Sequence, residues 1–260
     1  MKMILVILLF ITNSFSCRKD SPEAMPQLTN TTSVTNPDPN PVSNPNPAPP
    51  VQPSTTNNKY TYLALGDSYT IGHSVEASEN FPNQTINLLK AQSLDFEPAR
   101  IVATTGWTTD ELDRGITEAK NNGTLLSSYN FVSLLIGVND QYGGRSVDSY
   151  KPAFEDLLKR AIHLAGDSTA HVVVISIPDW GVTPFANGRD RDKIAKEIDA
   201  YNLANKQISQ RYNVEYIDIT PWTREAASDL SLIATDGLHP SGKEYKRWAE
   251  RIADFFKKRK

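Results

Sequence analysis

The stretch Tyr62-Leu63-Ala64-Leu65-Gly66-Asp67-Ser68-Tyr69-Thr70-Ile71-Gly72 reads as a buried strand that stops on a polar turn holding a serine. Tyr60 to Leu65 is aromatic and aliphatic with β-favouring ends, and Gly66 and Asp67 then break the run. Ser68 therefore stands where the strand ends. In an open α/β sheet ligands gather at the carboxyl ends of the strands, so a hydroxyl placed there is a nucleophile candidate. Gly-Asp-Ser alone is also ordinary turn chemistry, and the choice falls to the rest of the chain.

Working outward, Phe81 to Gln92 carries a helical apolar pattern, and Ala99 to Ala103 is a second short strand leading to Thr104-Thr105-Gly106-Trp107-Thr108. A helix start at Thr108 or Thr109 runs to the stop signal Asn122-Gly123. Phe131 to Val138 is almost uninterruptedly apolar, as expected of a parallel strand covered on both faces. It ends in Asn139-Asp140. A helix over Val147 to Leu164, a strand from His171 to Ile177 and an irregular loop from Pro178 to Asp190 follow. A long helix from Arg191 to Tyr212, a strand from Val214 to Ile219 and a closing helix from Ser241 to Phe256 complete the chain. The alternation predicts an α/β domain with a parallel sheet of about five strands. Ser68, Gly106 and Asn139 each follow a strand directly, so all three fall on one edge of that sheet.

Near the C-terminus, Ala234-Thr235-Asp236-Gly237-Leu238-His239-Pro240 forms a loop after the last strand, on the same edge. Serine hydrolysis needs a base for the hydroxyl proton and a carboxylate that fixes the tautomer of that base. Asp236 and His239, three apart, supply both from one loop. Donors for a developing oxyanion are available in the backbone N–H groups of Ser68 and Gly106 and the side-chain amide of Asn139. Every part of an acyl-transfer site is then accounted for.

Gly66-Asp67-Ser68-Tyr69, Gly106, Gly137-Val138-Asn139-Asp140 and Asp236-Gly237-Leu238-His239-Pro240 resemble the four blocks of the SGNH hydrolases, the GDSL esterase/lipase superfamily. They stand in that family's order and span nearly all of the chain from Tyr60 to Lys260. Tyr69 takes the place of the leucine that often follows the nucleophile. The resemblance implies a flavodoxin-like three-layer α/β/α sandwich. It also implies Ser68 as nucleophile, His239 as base, Asp236 as its orienting acid, and Ser68, Gly106 and Asn139 as the oxyanion hole. The activity implied is carboxylic ester hydrolysis through an acyl-Ser68 intermediate, with no metal or organic cofactor. The family's substrates include acetylated polysaccharides, lysophospholipids, thioesters and simple esters. A reading from another class is a non-catalytic glycan- or lipid-binding module on the same fold, although none of the catalytic residue types is missing here.

Other features have plainer readings. A second Gly166-Asp167-Ser168 precedes a strand, which puts it on the opposite edge as a turn. The Gly-x-Ser-x-Gly elbow of α/β-hydrolases is absent. His73, with Glu76 behind it, is the only rival base and is expected to line the pocket or face solvent. His163 and His171 lack a metal-ligand pattern. Trp107, Tyr142, Trp180 and Phe185 follow strands of the active edge and are candidates for shaping a pocket, while Asp140 and Arg145 are candidates for substrate contact with no assigned role.

The N-terminus differs in character. Residues 1–16 carry Lys2, an apolar run from Met3 to Ile11 and a polar end, which reads as a signal peptide too short to span a bilayer. Cys17, the only cysteine, follows directly and resembles the lipid acceptor of a bacterial lipoprotein, although Ser14 replaces the usual aliphatic residue. A single cysteine excludes an internal disulfide and a cysteine metal cluster. Residues 17–58 repeat Asn-Pro and Pro-Pro pairs and read as a disordered tether, leaving 59–260 as one folded domain. The expected setting is export to a bacterial cell envelope, lipid-anchored through Cys17, with a secreted or periplasmic soluble form as the alternative. With 39% hydrophobic and 22% charged residues and a net charge of −3, composition gives no electrostatic case for nucleic acid. A monomer acting on a small-molecule, glycan or lipid ester is expected.

Overall fold

The chain is described here from a computed structural model covering residues 59–260. The expected signal peptide, Cys17 and the Pro/Asn-rich tether lie outside the described residues. Five parallel strands form, β1 Tyr62–Gly66, β2 Arg100–Ala103, β3 Phe131–Leu135, β4 Val172–Ile175 and β5 Glu215–Ile217, in the spatial order β2-β1-β3-β4-β5. β1, β3 and β4 are buried along their whole length, which is why their sequences carry no polar alternation. β5 at the edge is three residues long, with Glu215 exposed, a device that blunts an open strand edge.

Eight α-helices complete the described residues: α1 Ser68–Ile71, α2 Phe81–Lys90, α3 Thr109–Asn121, α4 Val138–Tyr142, α5 Val147–Leu164, α6 Arg191–Arg211, α7 Thr220–Thr223 and α8 Gly242–Lys257. Four of the longer ones begin where the sequence supplies a cap. The side chains of Asn80, Ser146 and Asp190 accept backbone N–H groups at the starts of α2, α5 and α6, and Thr108 with Glu111 closes a capping box on α3. α8 buries Tyr245, Trp248, Ala249, Ile252 and Phe256, the spacing of one helical face. It packs with α2 on one side of the sheet, while α3, α5 and α6 cover the other. The result is the expected three-layer α/β/α sandwich. No helix among the described residues is long and apolar enough to cross a membrane.

Two boundaries differ from expectation for a physical reason. The strand expected over 131–138 stops at Leu135, because Gly137 adopts φ 123°, open to glycine but not to other residues, and turns the chain so that Val138 opens α4. At the other end, His171 closes a 3₁₀ turn ahead of β4.

The strand order sets the place of the site. From β1 the chain steps outward to β2, then returns past β1 to β3, so the connections leaving β1 and β3 diverge and open a crevice at their carboxyl ends. Ser68 and Asn139 emerge there. Gly166-Asp167-Ser168 turns into the amino end of β4, on the opposite edge, as expected.

Candidate active site

Ser68 is the first residue of α1, and the Asp67 side chain caps that helix by accepting the Tyr69 N–H at 3.0 Å. Burial pushes the Asp67 carboxyl up to about 8. The tight turn is closed by the N–H groups of Gly72 and His73, which both donate to the Ser68 carbonyl. The hydroxyl is thus held at the end of β1 by local bonds that any serine there would find.

His239 arrives from the C-terminal loop, which is pinned by a bridge between Ile233 and Pro240 and by the Ala234 N–H on the His239 carbonyl. Its Nε2 lies 2.9 Å from Ser68 Oγ and its Nδ1 lies 2.5 Å from Asp236 Oδ2. The Asp236 carboxylate collects three further donors: the N–H groups of Leu238 and His239 on Oδ1, each at 3.0 Å, and the Ser74 hydroxyl on Oδ2 at 2.9 Å. Burial raises its pKa, but the hydrogen bond to the His239 ring, together with these three donors, outweighs burial and holds it at about 2. For His239 the balance runs the other way. Burial lowers its pKa more than Asp236 raises it, and the His73 ring 4.7 Å away lowers it further. The imidazole is therefore neutral at pH 7. With Nδ1–H on the carboxylate, Nε2 offers its lone pair to the serine.

Facing this trio are the oxyanion donor candidates. Gly106 sits in the turn after β2 with φ 88°, and its N–H finds no acceptor among the described residues. Asn139, on α4, spends one amide proton on the Trp107 carbonyl at 2.9 Å, which orients the amide and leaves its second proton available. The Ser68 N–H belongs to the first turn of a helix and has no intrahelical partner. Ser68, Gly106, Asn139 and His239 line one cavity of about 200 Å³. The structure brings together every site residue expected from the sequence within the described range: Ser68, Gly106, Asn139, Asp236 and His239.

The far wall is aromatic. Tyr142, Trp180 and Phe185 pack with ring centroids 5.4–6.2 Å apart, the Arg189 guanidinium lies over all three at 5.1–5.4 Å, and the Trp180 indole N–H is held by Gln141 at 2.8 Å. Trp107 does not join them. Its ring packs against Gly115 of α3, where a side chain would collide with it, and only its carbonyl serves the site. Asp140 and Arg145, candidates for substrate contact, are instead tied to each other and to Thr109 beneath the site. A larger groove of about 670 Å³ runs past Arg145, Lys193 and Glu197 and holds none of Ser68, Gly106, Asn139, Asp236 and His239.

Sequence reasoning missed Ser74. It lies 162 residues from Asp236, and its φ of 67° is strained for serine, so no local pattern announces its bond to the carboxylate.

Solved structures share this fold. The psychrotrophic esterase EstA from Pseudoalteromonas sp. aligns with a TM-score of 0.58 at 18% identity, over 77% of this chain and 98% of that one. A lipase/acylhydrolase from Enterococcus faecalis gives 0.59 at 21% identity, over 77% and 96%. Axe2, an acetylxylan esterase from Geobacillus stearothermophilus, gives 0.56 at 19%, over 76% and 94%. No curated protein matches by sequence. The model of the GDSL-like lipase/acylhydrolase family matches residues 64–247, well over half the chain and all four sequence blocks, and on that match this protein belongs to the family.

Proposed function

We propose that the protein is a serine carboxylic ester hydrolase acting through an acyl-Ser68 intermediate. The observation that carries this reading is the continuous line of hydrogen bonds from Ser68 Oγ through His239 to Asp236, with unspent N–H groups beside its serine end. In the first half-reaction Oγ attacks the ester carbonyl as His239 Nε2 takes its proton. The tetrahedral oxyanion is held by the N–H groups of Ser68, Gly106 and Asn139, and the imidazolium returns the proton to the departing alcohol. Water repeats the sequence on the acyl-enzyme and releases the acid. Asp236 stays ionised throughout and stabilises the imidazolium.

The cavity of about 200 Å³ is smaller than the roughly 300–1,000 Å³ of pockets that enclose drug-sized ligands, which favours short acyl groups. Tyr142 and Phe185, 49% and 41% exposed at the rim, offer apolar surface to a bulkier alcohol part. Acetylated sugars fit that description, and the acetylxylan esterase among the structural neighbours adds a reason to include them. A series of p-nitrophenyl esters from acetyl to decanoyl, with acetylated xylose alongside, tests the reading. Turnover falling with acyl length supports it. Turnover rising toward decanoyl overturns the short-acyl assignment, and no turnover together with no fluorophosphonate labelling of Ser68 favours the non-catalytic binding module.

The pH profile follows from His239. Its neutral form is the active one, and burial sets its pKa below the ordinary histidine value of about 6.5. Activity is expected to be sustained through that value and to fall only at lower pH, measured as kcat/KM against pH. A limb above 6.5 contradicts the burial argument. In the same proposal the enzyme works at the cell envelope on a lipidated Cys17. A Cys17→Ala variant is expected to move from the membrane fraction to the soluble one, and an unchanged distribution removes the anchor.

A further inference from the structure

His73 has no part in the proton route, yet it is built against it. One ring nitrogen of His73, one of His239 and one carboxylate oxygen of Asp236 all lie within 4.8 Å of one another. The His73 Nδ1 is engaged by the Thr105 hydroxyl at 3.0 Å, which orients the ring and leaves Nε2 without a partner among the described residues. Metal-binding histidines are oriented in this way, by a hydrogen bond on the nitrogen that does not ligate. Two imidazoles and a carboxylate form a donor set suited to Zn²⁺ and Cu²⁺ and poorly suited to Mg²⁺ or Ca²⁺.

We infer that His73, Asp236 and His239 form a binding site for a borderline divalent cation, Zn²⁺ above all, whose occupancy switches the hydrolytic centre off. Tetrahedral ligands about 2.0–2.1 Å from zinc stand roughly 3.3 Å apart, so the widest pair must draw in by about 1.5 Å, while His239 Nδ1 and Asp236 Oδ2, 2.5 Å apart, must part by about 0.8 Å if the ion takes both. His73 is exposed on a loop and supplies that movement, while His239 is buried and held. Asp236, with its side chain 24% exposed, lets the ion approach from solvent. Whichever nitrogen of His239 the ion takes, the line breaks. Ligation at Nε2 removes the acceptor of the serine proton, and ligation at Nδ1 displaces the bond to Asp236 that sets the tautomer. His73 thus gives the site a reversible inhibitor of its own, which the remaining residues would hold only weakly.

The loss of activity rests on the proposed function, but metal binding does not, and the two are read separately. Ester hydrolysis by the wild type is titrated with ZnCl₂, with MgCl₂ and CaCl₂ as controls, and compared with His73→Gln, which keeps a donor for Thr105 but no zinc ligand. Each protein is referred to its own metal-free rate. The expected result is inhibition by Zn²⁺ alone, reversed by a chelator, with the half-inhibitory concentration at least roughly tenfold higher in His73→Gln. Equal inhibition of both proteins overturns the inference while leaving the esterase reading intact. Calorimetric titration of Ser68→Ala with ZnCl₂ is the second arm. One binding site, lost in Ser68→Ala/His73→Gln, upholds the metal site even in a protein that hydrolyses no ester. Heat signals identical in the two proteins overturn it.

Discussion

Ser68→Ala is expected to lower kcat/KM for a short p-nitrophenyl ester by roughly 10⁵–10⁶-fold, as loss of the nucleophile does in serine hydrolases. The substitution removes one oxygen whose recorded partner is His239 Nε2, at 2.9 Å. The bonds that shape the turn are untouched, because they run through the Asp67 side chain and the Ser68 carbonyl. Alanine is also a good residue in a first helical turn. Circular dichroism and thermal midpoint should therefore match the wild type, and the imidazole left behind borders a cavity where water can replace the lost partner. Turnover retained at a tenth of wild type or more would remove Ser68 from the reaction and leave the remaining residues without a nucleophile.

The reach of the sequence is best judged residue by residue. β1, β3 and β4 are legible because burial on both faces leaves an unbroken apolar run, and α2, α3, α5, α6 and α8 because each spans several turns of an amphipathic pattern. α1, α4 and α7, of four or five residues, are too short to show a helical period. The site residues are legible where the chemistry is local, as with Asp236 and His239 three apart, or where each follows its own strand, as with Ser68, Gly106 and Asn139. What could not be read is the support beneath them. Asp140 meets Thr109 31 residues away and Ser74 meets Asp236 162 residues away, and neither pair leaves a mark in composition or spacing. Trp107 likewise reads as a pocket wall in the sequence, because nothing there shows that its ring packs against Gly115, eight residues further on.

That support carries the second large expectation. Asp140→Ala should destabilise the domain by about 2–4 kcal/mol, the cost of removing a buried charged acceptor and leaving a buried N–H unpaired, with the partly exposed Arg145 keeping a second partner. Asp140 has a side chain 0% exposed and accepts from the Thr109 N–H at 2.9 Å, the Thr109 hydroxyl at 2.8 Å and Arg145 Nη1 at 2.9 Å. Arg145 has a second, weaker partner in Asp110 at 3.3 Å, which softens the loss on its side, but the Thr109 N–H is buried and left without an acceptor. For a domain of this size the thermal midpoint is expected to fall by roughly 10 °C. The functional loss should exceed what unfolding explains. Asp140 is the neighbour of Asn139, and Thr109 opens the helix that follows Gly106 and Trp107, so one carboxylate clamps together the two segments that carry the proposed oxyanion donors. Freed of it, the Asn139 amide and the Gly106 turn are no longer held in mutual register, and kcat is expected to drop by roughly 10²-fold at a temperature well below the new midpoint. Asp140→Asn, which keeps an acceptor for Thr109 but loses the charge facing Arg145, should fall between the two in both measurements. If folded Asp140→Ala turns over ester at the wild-type rate, the clamp serves stability alone and the donors are positioned by the Asn139 bond to the Trp107 carbonyl.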